Sequence, residues 1–191
     1  MSKAIKKLHQ LGQSLWYDNI HRRMLEDGTL QAMIERGEIR GVTSNPSIFN
    51  KAISESDAYD EDIRRLTGAG LSKEEIYEKL VVADIQQAAD LFLPLYRKTR
   101  GGDGFVSLEV SPYLAYQTEE TLDEARRLWG LVDRPNLMVK IPATREGLPA
   151  VTEALASGIN INITLIFAVE RYHEVMEAYL KGLEQRLDQG E

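Results

Sequence analysis

The chain has 191 residues, 43% hydrophobic and 28% charged, with a formal net charge of −7. That acidic balance argues against a general nucleic-acid or anionic-membrane surface. The absence of cysteine excludes disulfides, thiolate metal sites and cysteine nucleophiles.

Length and composition are those of an ordinary globular protein, and we expect a single domain over residues 1–191. The start, Met1-Ser2-Lys3-Ala4-Ile5-Lys6-Lys7-Leu8, lacks the apolar core of a signal peptide, and no apolar run approaches membrane-spanning length. A cytoplasmic location without membrane partners is the expectation. Any phosphorylated ligand would need a local cluster of basic groups.

In chain order, the predicted strands are Leu15–Asn19, Arg40–Asn45, Phe105–Val110, Leu137–Ile141 and Ile159–Thr164, with helical patterns between them. The clearest helix starts at Ser72. Ser72 and Glu75 have capping-box spacing, and Leu71 and Ile76 can form a hydrophobic staple. Apolar residues follow at Ile76, Leu80, Ala83, Ile85, Ala88 and Leu91, and Pro94 is expected to kink or end the helix. Gly101-Gly102-Asp103-Gly104 reads as a flexible loop inside the domain. Thr118, followed by Glu119 and Glu120, marks another helix start, with acids at the positive end of the dipole. A last helix, Ala168 to Leu187, sets Val169, Tyr172, Met176, Tyr179 and Leu183 on one stripe. Arg22-Arg23, Arg64-Arg65 and Arg126-Arg127 read as solvated helix faces. His9, His21 and His173 lack metal-ligand spacing, so no metal site is expected.

Side chains of a strand alternate between two faces. Ile159, Ile161 and Ile163 share one face, and Asn160, Asn162 and Thr164 the other. Lys140 opposes Leu137, Val139 and Ile141. Glu109 opposes Val106, Leu108 and Val110. Asp18 opposes Leu15 and Tyr17, and Asn45 shares a face with Thr43. Strands covered by helices on both sides read as continuous apolar runs. Here one face is apolar and the other gathers polar residues near the C-terminal end, as in the interior of a parallel β/α barrel. By pattern alone, a sheet with one solvated face remains open.

Two segments carry more information than alternation does. Gly41-Val42-Thr43-Ser44-Asn45-Pro46-Ser47-Ile48-Phe49 resembles the Thr-Ser-Asn-Pro signature of transaldolases. Leu137-Met138-Val139-Lys140-Ile141-Pro142-Ala143-Thr144-Arg145-Glu146-Gly147-Leu148 is similar to the active-site lysine segment of that family. Trp16-Tyr17-Asp18, Ser107-Leu108-Glu109-Val110-Ser111-Pro112 and the stretch from Gly158 to Phe167 resemble further family segments in the right order. The likeness covers essentially the whole chain, and the longer bacterial type is the nearest match.

The resemblance implies an α/β fold of the (β/α)8 TIM-barrel, class I aldolase type. It also implies transfer of a dihydroxyacetone unit between sugar phosphates in the pentose phosphate pathway. Sedoheptulose 7-phosphate and glyceraldehyde 3-phosphate would give erythrose 4-phosphate and fructose 6-phosphate. In that reading Lys140 forms the Schiff base, and Asp18 is general acid and base. Glu109 and Thr164 hold a proton-relaying water, and Asn45 and Asn162 bind hydroxyls of the three-carbon unit. Thr43 and Ser44 of the signature join the expected substrate-binding set. No cofactor is implied, because the protonated imine is itself the electron sink.

The residue types suit that chemistry on their own terms. A lysine attacks a carbonyl only when neutral, and at a pKa of ~10.4 about one in 2,500 is neutral at pH 7. Lowering the pKa by about three units costs roughly 4 kcal/mol of charged-state stability, which burial in an apolar strand could supply. Taken singly, a strand lysine is usually a snorkelling or edge residue, an Asn-Pro pair a turn or helix start, and Asp18 a cap.

A closed barrel of this class has eight strands and typically ~250 residues, so about five of eight β/α units are expected here. Self-association of an open partial barrel follows as an expectation. Two other readings stand beside transfer: a catalytically incompetent fragment that acts as an assembly module, and a simple aldolase releasing free dihydroxyacetone. The long insert between Asn45 and Phe105 fits the second of these less well.

Overall fold

The computed structural model describes residues 2–190. Nine α-helices and five strands alternate among them: α1 (Lys3–Gln10), β1 (Trp16–Asp18), α2 (Arg22–Glu26), α3 (Thr29–Glu35), β2 (Gly41–Thr43), α4 (Pro46–Ser54), α5 (Asp60–Gly68), α6 (Lys73–Thr99), β3 (Phe105–Glu109), α7 (Thr118–Val132), β4 (Leu137–Pro142), α8 (Gly147–Ala156), β5 (Ile161–Thr164) and α9 (Val169–Asp188). The strand order is β1-β2-β3-β4-β5. All five predicted strands form, most of them shorter at their ends. By contact the chain divides into two units, one of residues 1–106 with 134–136, the other of residues 107–133 with 137–191. Strand β3 passes from the first into the second at Val106–Ser107.

In the first unit β1 and β2 pair in parallel, Trp16 with Gly41, Tyr17 with Val42 and Asp18 with Thr43. The indole of Trp16 lies on Gly41, where a Cβ would come within 2.5 Å of the ring. A larger residue at position 41 would have to displace the indole. The core of this unit holds Ile20, Leu30, Val42, Phe49, Ile85 and Phe92, each at most 1% exposed. Burial of such a side chain is worth roughly 1.5–3 kcal/mol of transfer free energy.

Helix α6 opens with the predicted capping box, the Glu75 N–H donating to Ser72 Oγ and the Ser72 N–H to Glu75 Oε2. Of the two outcomes expected at Pro94, an end does not occur, and the helix continues for a total of 27 residues. Residues on either side are held in place. Ala88, Ala89 and Phe92 are fully buried before the proline, and Tyr96 packs edge-on against Phe105, 5.2 Å between ring centres, after it. That packing outweighs the one hydrogen bond proline cannot make. The buried stripe also differs: Val81, Val82, Asp84 and Phe92 join it, while Ala83 is exposed.

The glycine-rich segment is likewise not a slack linker. Arg100 and Gly101 turn the chain through left-handed backbone, and Asp103, 8% exposed, accepts from Ser14 Oγ at 2.6 Å and pairs with Arg40. A Cβ on Gly104, whose φ is +85°, would come within 2.4 Å of the Tyr96 backbone nitrogen.

In the second unit β4 and β5 pair in parallel, Lys140 with Asn162 and Pro142 with Thr164. Leu137, Val139 and Ile141 are fully buried, as their alternation requires. Thr144 follows β4, its hydroxyl donating to the Ala115 carbonyl and accepting from the Gly147 N–H. Helices α8 and α9 approach closely at Gly182, where a Cβ would come within 2.8 Å of Leu155 Cβ and of the Thr152 carbonyl. This close approach corrects the reading of α9. Its buried face is Val175, Ala178 and Gly182, and Val169, Tyr172, Met176, Tyr179 and Leu183 are 39–68% exposed. Small residues allow the helices to meet, so the large ones are left outside.

Candidate active site

The second unit brings four of the expected residues onto one face. Lys140 projects from β4 with its Nζ 3.2 Å from Glu109 Oε2, and the two side chains are 12% and 15% exposed. The pair is therefore shielded but not sealed. The lysine does not lie in a wholly apolar slot, as burial alone would have it, but against a carboxylate. Backbone bonds fix the relation: the Val110 N–H donates to the Lys140 carbonyl at 3.1 Å and the Val139 N–H to the Asn160 carbonyl at 2.9 Å. Asn162, in register with Lys140, shares its face. Thr164 ends β5, its carbonyl accepting from the Ala143 N–H at 2.8 Å, and its side chain is half-buried.

Ser107 was not singled out from sequence. It is fully buried and accepts a hydrogen bond from Asn162 Nδ2 at 2.9 Å. The available signal was its position two residues before Glu109, hence on the same strand face.

In the first unit Asp18 ends β1, exposed and in register with Thr43. Asn45 is the N-cap of α4, with Pro46 following at the first helical position. Its Oδ1 accepts from the Ile48 N–H at 3.0 Å and from Ser47 Oγ at 2.6 Å. The carbonyl end of that amide is thus committed to the helix, and its N–H2 end is the part suited to a ligand. Ser44, at 1% exposure, is buried.

The same unit contains a charged cluster that sequence reasoning missed. Arg22 is 8% exposed, not a solvated helix residue. Its Nε donates to Asp84 Oδ1 at 2.8 Å and its Nη1 to Asp62 Oδ2 at 2.5 Å, and the guanidinium lies over the Tyr59 ring at 4.7 Å. Tyr59 accepts from the Arg22 N–H and donates to Asp84 Oδ2 at 2.8 Å. Burial raises the Asp84 carboxyl above its usual range, and burial beside that carboxylate raises the Tyr59 hydroxyl. Hydrogen bonds from Arg65 and Arg22 hold Asp62 below it. Arg64, Arg65, Arg126 and Arg127 are solvated as expected. His21 caps α2, its Nδ1 accepting from the Met24 N–H. Among the described residues no group of three or more His, Cys, Asp or Glu is placed to hold a metal ion, and no helix is long and apolar enough to cross a membrane.

A lysine beside a carboxylate, at the polar end of parallel strands, is the centre of the candidate site. The family described as Transaldolase/Fructose-6-phosphate aldolase matches residues 15–187. The chain belongs to that family. A transaldolase of Thermobifida fusca is 53% identical over 190 residues, covering 100% of this chain and 52% of its own length. One from Thiobacillus denitrificans is 50% identical over 185 residues, 97% of this chain and 52% of its own. One from Trichodesmium erythraeum is 50% identical over 191 residues, covering 100% and 50%. The chain spans about half the length of the curated relatives it matches. Its five-stranded α/β architecture is that of a partial barrel of the aldolase type.

Proposed function

We propose that this chain carries the covalent half of a transaldolase, with Lys140 as its Schiff-base lysine. The contact between Lys140 Nζ and Glu109 Oε2 at 3.2 Å is the observation that carries the reading. A nucleophilic amine needs a group to receive its proton and return one to the departing hydroxyl. In the proposed sequence the amine adds to the ketose carbonyl and water leaves, Glu109 and Thr164 relaying protons through a bound water. Asp18 then takes the proton of the hydroxyl on the carbon being cleaved. The carbon–carbon bond breaks, its electrons flow into the iminium, and an aldehyde departs. The three-carbon unit stays on Lys140, its hydroxyls held by Asn162 and by the N–H2 end of Asn45, with Thr43 alongside. Addition of this unit to a second aldehyde and hydrolysis of the imine complete the transfer.

Sugar phosphates as substrates, the pentose phosphate pathway and a cytoplasmic location rest on the family likeness. Incubation with fructose 6-phosphate, borohydride reduction and peptide mass spectrometry should place an adduct on Lys140, and Lys140→Met should remove it. Unmodified protein, or label spread over surface lysines, would sink the proposal.

A second reading is favoured by the outward stripe of large apolar residues on α9. It is a self-associating module that forms the imine but does not complete transfer. A coupled assay with erythrose 4-phosphate as acceptor separates the two, and light scattering should show an oligomer rather than a monomer. Release of free dihydroxyacetone in the same assay would indicate a plain aldolase.

A further inference from the structure

Four polar side chains of the second unit lie close together, and Ser107 is the one among them with no task assigned above. Lys140 and Glu109 form the ion pair. Asn162 reaches across β4, the strand that carries the lysine, to hydrogen-bond Ser107 on β3. Ser107 is fully buried, so bulk water does not compete for that bond. A buried serine in the middle of a strand, where valine or isoleucine is the favoured filling, calls for a reason.

Asparagine supplies one. Its amide presents an acceptor oxygen and an N–H2 donor group that are nearly identical in shape. Rotation by half a turn about the last side-chain bond exchanges them. A strand residue that must offer one particular end to a ligand therefore needs something to hold the other end. Ser107 Oγ accepts from Asn162 Nδ2 at 2.9 Å, which holds the N–H2 end as long as the hydroxyl gives its own proton elsewhere, and leaves the carbonyl oxygen at the opposite corner of the amide.

We propose that Ser107 is a positioning residue, holding Asn162 so that its carbonyl oxygen meets a ketose hydroxyl beside the carbon bonded to Lys140. The proposal rests on the Schiff-base reading above. The acceptor end then discriminates for a hydroxyl, which can donate, and gives nothing to a bare methyl group. Loss of Ser107 frees the amide to turn its donors toward the ligand, while Lys140 and Glu109 keep their own contact.

The test compares two small ketones on the whole chain, each trapped on Lys140 with borohydride and quantified by peptide mass spectrometry. Dihydroxyacetone carries the hydroxyls, and acetone lacks them. With Ser107→Ala, the half-saturating concentration of dihydroxyacetone should rise about tenfold, the effect of one lost hydrogen bond. That of acetone should stay within about twofold, and so should the plateau trapping rate. Ser107→Thr, which keeps the hydroxyl, should restore dihydroxyacetone to near its original value. If Ser107→Ala does not fold, Ser107→Cys, with its weaker acceptor, should show the same selective shift at smaller size.

Equal shifts for both ketones, or none, would overturn the role of Ser107 and leave the Schiff base standing. Absence of any Lys140 adduct in the unsubstituted chain would overturn both. Nuclear magnetic resonance checks the hold independently of chemistry. The Asn162 side-chain amide protons should exchange slowly with solvent in the unsubstituted chain and fast in Ser107→Ala, and unchanged exchange would count against the proposal.

Discussion

Two charged pairs in this molecule use the same ingredients for opposite ends. In the first unit Arg22 and Asp84 are 9% and 1% exposed at their side chains, with Tyr59 and Asp62 completing the cluster. In the second unit Lys140 and Glu109 keep 12% and 15%. Guanidinium is planar, always charged and bonded on two edges, so it can be sealed into a core and act as a joint between α2, α5 and α6. An ammonium is a compact point charge that gives up its proton under the right conditions. Lys140 is placed where solvent still reaches it. Which base is chosen, and how much solvent reaches it, separates a sealed joint from a pair within reach of solvent.

Removing one partner from each pair is the direct way to break the comparison. The largest effect is expected from Asp84→Ala, which leaves buried Arg22 with Asp62 alone and takes the acceptor from the Tyr59 hydroxyl; it should cost about 3 kcal/mol of stability, read by urea unfolding. An unchanged midpoint would reduce the Arg22 cluster to an ordinary surface network. Glu109→Gln, which keeps the shape of the side chain, should slow adduct formation on Lys140 about 100-fold, the low end for a lost general acid or base. A lowered melting temperature with unchanged trapping would make this pair a structural one too.

The smallest effect concerns acid. Asp62 is held below its ordinary value of 3.8 by the two arginines, so the unfolded chain binds its proton more readily. Its stabilisation is complete above 3.8 and is lost as the pH falls through the depressed folded value. Asp84 runs the other way. Burial raises its carboxyl, so its cost to stability is present above the raised value and fades as the pH falls toward 3.8. Asp62→Asn should therefore flatten the loss of stability as the pH falls below 3.8, followed by urea unfolding at each pH. A steeper acid limb in the variant would reverse the assignment.

Strand positions were readable in the sequence because period-two alternation places each side chain, and Lys140, Glu109 and Asn162 fell on one face as their numbering requires. The Ser72 helix start was readable because its cap is local. That α6 runs on past Pro94 was not readable, because the packing of Phe92 and of Tyr96 on Phe105, which carries the helix through, is tertiary and leaves no local mark. The same holds for Arg22, whose doublet with Arg23 resembles any solvated pair until Asp84, 62 residues away in sequence, is brought against it. On α9 the largest apolar residues drew the eye, yet Gly182 and Ala178 decided the packing. The family segments around Asn45 and Lys140 were legible as whole motifs, whereas the task of Ser107 depends on a bond across β4 that spacing alone does not reveal.

The register of β4 against β5 constrains which mutational events the chain can survive. Substitutions along Leu137-Met138-Val139 change the quality of packing, but a one-residue insertion or deletion there would shift the strand by half a pleat. Lys140 would then turn toward the helices, and a hydrophobic neighbour would take its place on the ligand face. Single-residue length changes should therefore be absent from this strand in any functional variant library, and should be tolerated in the segment of residues 133–136 only where they restore the Lys140–Asn162 pairing.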